Sequence, residues 1–151
     1  MKGDHLFIMV PGYWIGEGRV SFTASPEQLH FYTRWRIYPE ENGLIVAEQI
    51  VELRDVSNTM ENRFTFSTFT KDGFSVLLES EAMGSLHGVG KFGEKFIAWE
   101  FKNRDVAEGF EAYEIQENGD YMIHAEYAKE ERFRTIVDGR IWKKEEQSSS
   151  N

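Results

Sequence analysis

Residues 12–18 read Gly-Tyr-Trp-Ile-Gly-Glu-Gly. Gly12, Trp14, Gly16 and Gly18 share one parity, so on a pleated strand they line one face, with Tyr13, Ile15 and Glu17 on the other. Glycine weakens a strand unless the chain must bend hard or another backbone comes close. The first strand of a closed barrel has that need. On this reading Trp14, a large apolar surface with one N–H to satisfy, plugs one end of a barrel. Gly16 and Gly18 then leave open space above it, the floor of a cavity.

The same period of two runs outward from this stretch. Leu29, Phe31, Thr33, Trp35 and Ile37 alternate with His30, Tyr32, Arg34, Arg36 and Tyr38. Phe64 and Phe66 alternate with Arg63, Thr65 and Ser67. Late in the chain Phe133, Thr135, Val137 and Ile141 alternate with Arg134, Ile136, Asp138 and Arg140. One face of each run suits a core and the other suits water, as in antiparallel sheets. Glu41-Asn42-Gly43, Lys71-Asp72-Gly73, Phe92-Gly93-Glu94 and Glu117-Asn118-Gly119-Asp120 supply turn residues between runs. The spacing predicts strands at 13–23, 28–38, 43–54, 62–70, 73–80, 85–92, 95–102, 108–116, 120–129 and 132–143, with longer loops at 54–62 and 102–108. Ser25-Pro26-Glu27-Gln28 resembles a helix start, with Ser as N-cap and Pro at the first helical position. Asp138-Gly139 suits either a turn or a bulge.

A meander of this many strands hides its edges most simply by closing on itself. The expected fold is therefore all-β: an antiparallel up-and-down β-barrel of about 8–10 strands, large enough for one small ligand. A two-sheet sandwich needs longer crossings than the sequence offers. The chain of 151 residues suits one domain, with the barrel over 1–144 and a disordered polar tail over 145–151.

Composition narrows the function. Lys and Arg number 17 against 26 Asp and Glu, a formal net charge of −9. That balance argues against nucleic acid and against anionic membrane surfaces. There is no cysteine, hence no thiol chemistry and no disulfide framework. The N-terminal stretch MKGDHLFIMVPG holds only a five-residue apolar run, Leu6 to Val10, shorter than a secretory core or a spanning helix. A soluble, cytoplasmic protein is the expectation, with a homodimer left open.

Gly12-Tyr13-Trp14 resembles the G-x-W of lipocalins and their calycin relatives. The longer Gly12-x-Trp14-x-Gly16-x-Gly18 is similar to the G-x-W-x-G-x-G of nitrobindins, the fatty-acid-binding-protein-like haem barrels. The resemblance implies a lipocalin-like barrel of eight or ten strands around one central ligand. It also implies a basic residue of the last strand packed over the first-strand Trp. Arg140, or else Arg134, would fill that role, closing the barrel with Gly12 and Trp14 through a cation–π contact. Nitrobindins present an axial His near the C-terminus, and this chain has none after His124, which speaks against haem.

Catalytic and metal signals are sparse. His5, His30, His87 and His124 show no metal spacing, although His87 or His124 could point inward. Glu79, Glu81, Glu100, Glu111, Glu114 and Glu126 invite an acid–base reading, but alternating acids on strands usually form the solvated face. No P-loop and no nucleophile elbow is present. What remains is an aromatic interior. Trp14, Phe31, Trp35, Phe64, Phe66 and Trp99 are the expected ligand-binding residues, with Arg134 to orient a polar headgroup; Arg34, Arg36 and Arg63 are alternatives for that task. The leading expectation is a binding module for a small apolar or amphipathic ligand, its cofactor unknown and no metal assigned. A lyase or isomerase using Arg, Tyr and Glu on the same scaffold is the second reading, and a filled barrel that recruits another protein is the third.

Overall fold

The computed structural model describes residues 5–57, 59–81, 84–103, 107–130 and 133–144. Ten strands follow one another in the chain: β1 (Gly12–Phe22), β2 (Ser25–Ile37), β3 (Ile45–Leu53), β4 (Thr59–Ser67), β5 (Gly73–Ser80), β6 (Gly84–Phe92), β7 (Phe96–Asn103), β8 (Ala107–Ile115), β9 (Tyr121–Glu130) and β10 (Phe133–Lys143). Each pairs antiparallel with its sequence neighbour, and β10 pairs with β1 to close an up-and-down barrel. The expected fold class is the observed one.

Turn chemistry fixes the hairpins. Asn42 and Gly43 both take positive φ, 54° and 80°. The flanking Glu41 and Leu44 exchange backbone hydrogen bonds of 2.9 and 3.0 Å, as the hairpin signal predicted. The helix start expected at Ser25 is absent: β2 begins there in extended form. The residue before a proline is disfavoured in the helical region, and Ser25 Oγ instead accepts the Glu27 N–H at 3.2 Å. Gly139 is neither turn nor bulge. It lies in regular register opposite Gly18 of β1 and Ile123 of β9. β4 begins at Thr59, three residues before the expected start, and ends at Ser67, before Thr68 with its φ of 53°.

The two ends of the barrel differ. At the end where β1, β3, β5, β7 and β9 begin, a short 3₁₀ turn (Phe7–Met9) folds into the lumen. Leu6, Phe7 and Ile8 are fully buried. Phe7 meets the rings of Trp14 and Trp35 edge-on, each with a centroid separation of 5.0 Å, and lies 4.9 Å from that of Tyr113. Trp14 also packs edge-on against Tyr121 and donates its indole N–H to Val10 O at 3.2 Å. Phe64, Phe66, Phe74, Trp99 and Tyr113 extend this cluster through further ring contacts. Each large side chain buried this way contributes about 1.5–3 kcal/mol.

Two expectations about this end are corrected. Trp14 is one part of the plug, but Arg140 does not cover it. Arg140 faces outward, stacks over the Trp142 ring at 4.8 Å and sits 3.9 Å from Glu17. Inward and outward side chains alternate, and Arg140 pairs in register with the outward Glu17 rather than with an inward residue. Arg134 likewise faces outward and pairs with Glu126 at 3.3 Å. Gly16 and Gly18, in turn, do not leave hollow space. A Cβ at Gly16 would meet Arg140 O and Ile141 Cγ2 at 2.5 Å, and one at Gly18 would meet Asp138 O at 2.2 Å and Phe31 Cε1 at 2.7 Å. The glycines let β1 and β10 approach while Ile141 and Phe31 fill the lumen beside them.

Candidate functional site

Beyond this packed half, toward the opposite end, the lumen opens into a cavity of about 460 Å³. Val20, Phe22, Phe31, Phe64, Leu78 and Val137 give it mostly apolar walls, with Ile123 and the small Ala125 and Ala128 on the β9 side. A larger depression of about 690 Å³ on the outer surface is shallower and edged by Arg34, Arg36, Glu48, Glu61 and Arg63. Charged, solvated side chains of both signs line it, so the enclosed cavity is the stronger candidate.

Two polar groups interrupt the apolar wall. On β2, β3 and β4 the Asn62 amide donates to Gln49 Oε1 at 2.9 Å, and the Gln49 amide donates to Thr33 Oγ1 at 3.1 Å. The second group lies on β8 and β9. Glu111 is 7 % exposed, and its carboxyl is held between two phenols. Tyr113 donates to Oε1 at 2.5 Å, and Tyr127 donates to Oε2. In a ring of ten strands, β8 stands five places from β3, so the two polar groups face each other across the lumen.

Local sequence builds the Glu111 site. Gly109, Glu111 and Tyr113 share the inward parity of β8, and Gly109 is the register partner of Tyr127. A Cβ at Gly109 would lie 2.4 Å from Tyr127 Cδ1, so the glycine is what lets the ring lie across β8 toward the carboxyl. Trp99 is the β7 register partner of Glu111, and its buried indole N–H has no hydrogen-bond partner of good geometry. Burial raises the Glu111 pKa above its ordinary 4.5, while the Tyr113 and Tyr127 donors, and the Trp99 N–H close by, pull it back. Burial, reinforced by the neighbouring carboxylate, lifts both Tyr113 and Tyr127 well above 10.

The expected ligand residues divide accordingly. Phe31 and Phe64 line the cavity. Trp14, Trp35, Phe66 and Trp99 belong to the packed cluster beneath and beside it. Arg134 stands outside the barrel, as do Arg34, paired with Glu52 at 3.1 Å, and Arg36, stacked over Tyr13 and Tyr38. His124 also faces outward, with Nδ1 2.6 Å from Asp138 and Nε2 2.9 Å from Glu126. Glu79, Glu81, Glu100 and Glu114 are exposed, as read from the sequence, but Glu111 is not. Its signal was the inward parity it shares with Tyr113 and Ile115. Phe110 and Ala112 on the other parity obscured it.

No protein-family model matches the sequence, and no curated protein sequence matches it either. Solved structures do match in shape. The S-type phycobiliprotein lyase CPES from Guillardia theta superposes with a TM-score of 0.72 at 10% identity, over 97% of this chain and 95% of that one. Rv2717c from M. tuberculosis superposes with a TM-score of 0.71 at 9% identity, over 89% and 92%. At such identities the likeness concerns the fold alone. This chain folds as a lipocalin-like ten-stranded barrel.

Proposed function

We propose that the barrel binds a small, largely apolar ligand in its lumen, as a carrier or sensor. The observation that supports this most directly is the cavity itself. It measures about 460 Å³, its wall is mostly apolar and it carries two separated polar groups. Size and lining both fall within the ordinary range for small-molecule sites. The reading of a filled barrel that recruits a protein has less support, because only half of the lumen is packed. The calycin membership suggested by the first-strand motif is consistent with this reading.

A second reading draws on one specific feature. A buried carboxyl with a raised pKa, flanked by two phenols, has the makings of a general acid or base, and one structural neighbour is named a lyase. Binding and catalysis would share the same cavity.

The test is to fill the cavity. Ala125 is buried on the cavity wall, and Ala125→Trp would place an indole in the lumen. Uptake of the neutral fluorescent reporter N-phenyl-1-naphthylamine should weaken at least about tenfold, or roughly 1.4 kcal/mol. The far-ultraviolet dichroism should stay that of a β-barrel. If wild type takes up no apolar reporter, or the variant takes it up equally well, the lumen is not the binding site.

A further inference from the structure

Among the described residues, the cavity wall holds one carboxyl and no Lys, Arg or His. The arginines expected to meet an acidic headgroup lie on the outer face, with Arg34 on Glu52, Arg134 on Glu126, Arg36 over Tyr13 and Tyr38, and Arg63 exposed. A carboxylate ligand would bring a negative charge into a low-dielectric lumen with no cation to meet it. An unpaired buried charge is costly, and beside an ionised Glu111 it would also be repelled.

The opposite ligand is favoured by the same physics. Two phenols satisfy one lone pair on each Glu111 oxygen. A carboxylate offers about four acceptor sites, so capacity remains for further donors. Hydrogen bonds from neutral phenols reduce the cost of burying the charge but leave its sign uncompensated, so in the empty lumen burial favours the protonated acid; a bound cation supplies the missing charge, and Glu111 releases its proton to water as the cation binds. Across the lumen, Thr33, Gln49 and Asn62 form a hydrogen-bonded row of neutral polar groups. The cavity thus has an acidic pole, an apolar middle and a neutral polar pole.

Resting on the binding function proposed above, we infer that Glu111 selects a ligand in which a small apolar body carries a nitrogen cation. The cation meets the carboxylate on the β8–β9 side, and the apolar body fills the space between Phe31, Phe64 and Val137. Carboxylate-headed ligands of the same shape are rejected. The chemistry is that of a protonated amine or another protonated nitrogen base.

Three ligands with one apolar chain separate the contributions: decylamine, decanol and decanoate, each kept below its micelle-forming concentration. Their displacement of N-phenyl-1-naphthylamine is measured at neutral pH. Salt at about 1 M shortens the Debye length to about 3 Å, so the net charge of −9 on the surface does not itself attract the amine. Decylamine should compete at least about tenfold more tightly than decanol, with decanoate weakest. Glu111→Gln should cost the amine about tenfold or more and leave decanol within about threefold, which erases the preference. The comparison in wild type stands even if the variant does not fold. Decanoate binding as tightly as decylamine would overturn the inference while leaving the binding function intact. So would an amine affinity untouched by Glu111→Gln. A wild-type protein that takes up no reporter would remove both.

Discussion

Glu111 stands at a point where several local forces oppose one another. Desolvation favours its neutral form, while donation from Tyr113 and Tyr127, with the Trp99 N–H close by, favours its charged form, and burial wins. The folded carboxyl therefore keeps its proton over a pH interval in which the unfolded chain, near 4.5, has released it. Its contribution to stability is fully present below about pH 4.5 and is lost as pH rises through the folded value. Tyr113 and Tyr127 do not titrate in this interval, since both are held well above 10. Glutamine has a similar shape and no proton to lose. The melting temperature of Glu111→Gln, relative to wild type, should rise as pH increases above 4.5 and level off below 4.5. Subtracting the two melting curves cancels titrations elsewhere, including that of the outward His124, whose pKa Asp138 and Glu126 raise. A difference that stays flat, or that falls with pH, would mean that the carboxyl is not destabilised by burial.

On the scale of strands, the decisive feature is how closely β1 and β10 approach. Gly18 faces Gly139 in register, and a Cβ on either would meet the opposite backbone, Asp138 O at 2.2 Å or Glu17 O at 2.4 Å. Backbone cannot yield as the tip of a side chain can, so Gly18→Ala should destabilise the barrel by about 1–3 kcal/mol or more. Urea unfolding read by tryptophan fluorescence would measure it, and a loss below about 0.5 kcal/mol would show that the seam is looser than the geometry says. The same strands show what the sequence could and could not reveal. The alternation of Phe31, Thr33, Trp35 and Ile37 with Tyr32, Arg34 and Arg36 was enough to predict β2, and about ten such runs joined by short turns were enough to predict a closed barrel. The start of β4 was hidden because its inward residues there are Met60 and Asn62, and an inward amide reads as surface until Gln49 is seen to hold it. The glycines of β1 were visible, but whether they made space or let a neighbour in depended on Ile141 and Phe31, which come from other strands. Leu6–Ile8 carried no periodic signal at all, since three residues are too few to show one, yet they close the barrel.

Over the whole molecule, packing is uneven, and the unevenness has a direction. At the closed end Phe7 ties the N-terminal segment to Trp14 of β1, Trp35 of β2, Tyr113 of β8 and Tyr121 of β9, so four strands share one ring. At the other end, the same strands border open volume. Regions that bury fewer contacts open at lower free-energy cost than the global unfolding reaction. In native-state hydrogen exchange, amides around Trp14, Trp35 and Tyr113 should exchange only through global unfolding. Those of Val51, Leu53 and Ala128, which border the cavity, should exchange through smaller openings. A ligand that occupies the lumen binds the closed form and not the opened one, which shifts the balance by mass action. At about 100 times its dissociation constant, N-phenyl-1-naphthylamine should slow exchange at the cavity strands by up to about 100-fold. Amides of the plug, where exchange waits on global unfolding, should gain no more than this. Uniform protection along each strand without ligand would mean that the cavity half is as rigid as the plug. Slowing confined to the plug would place the ligand somewhere other than the lumen.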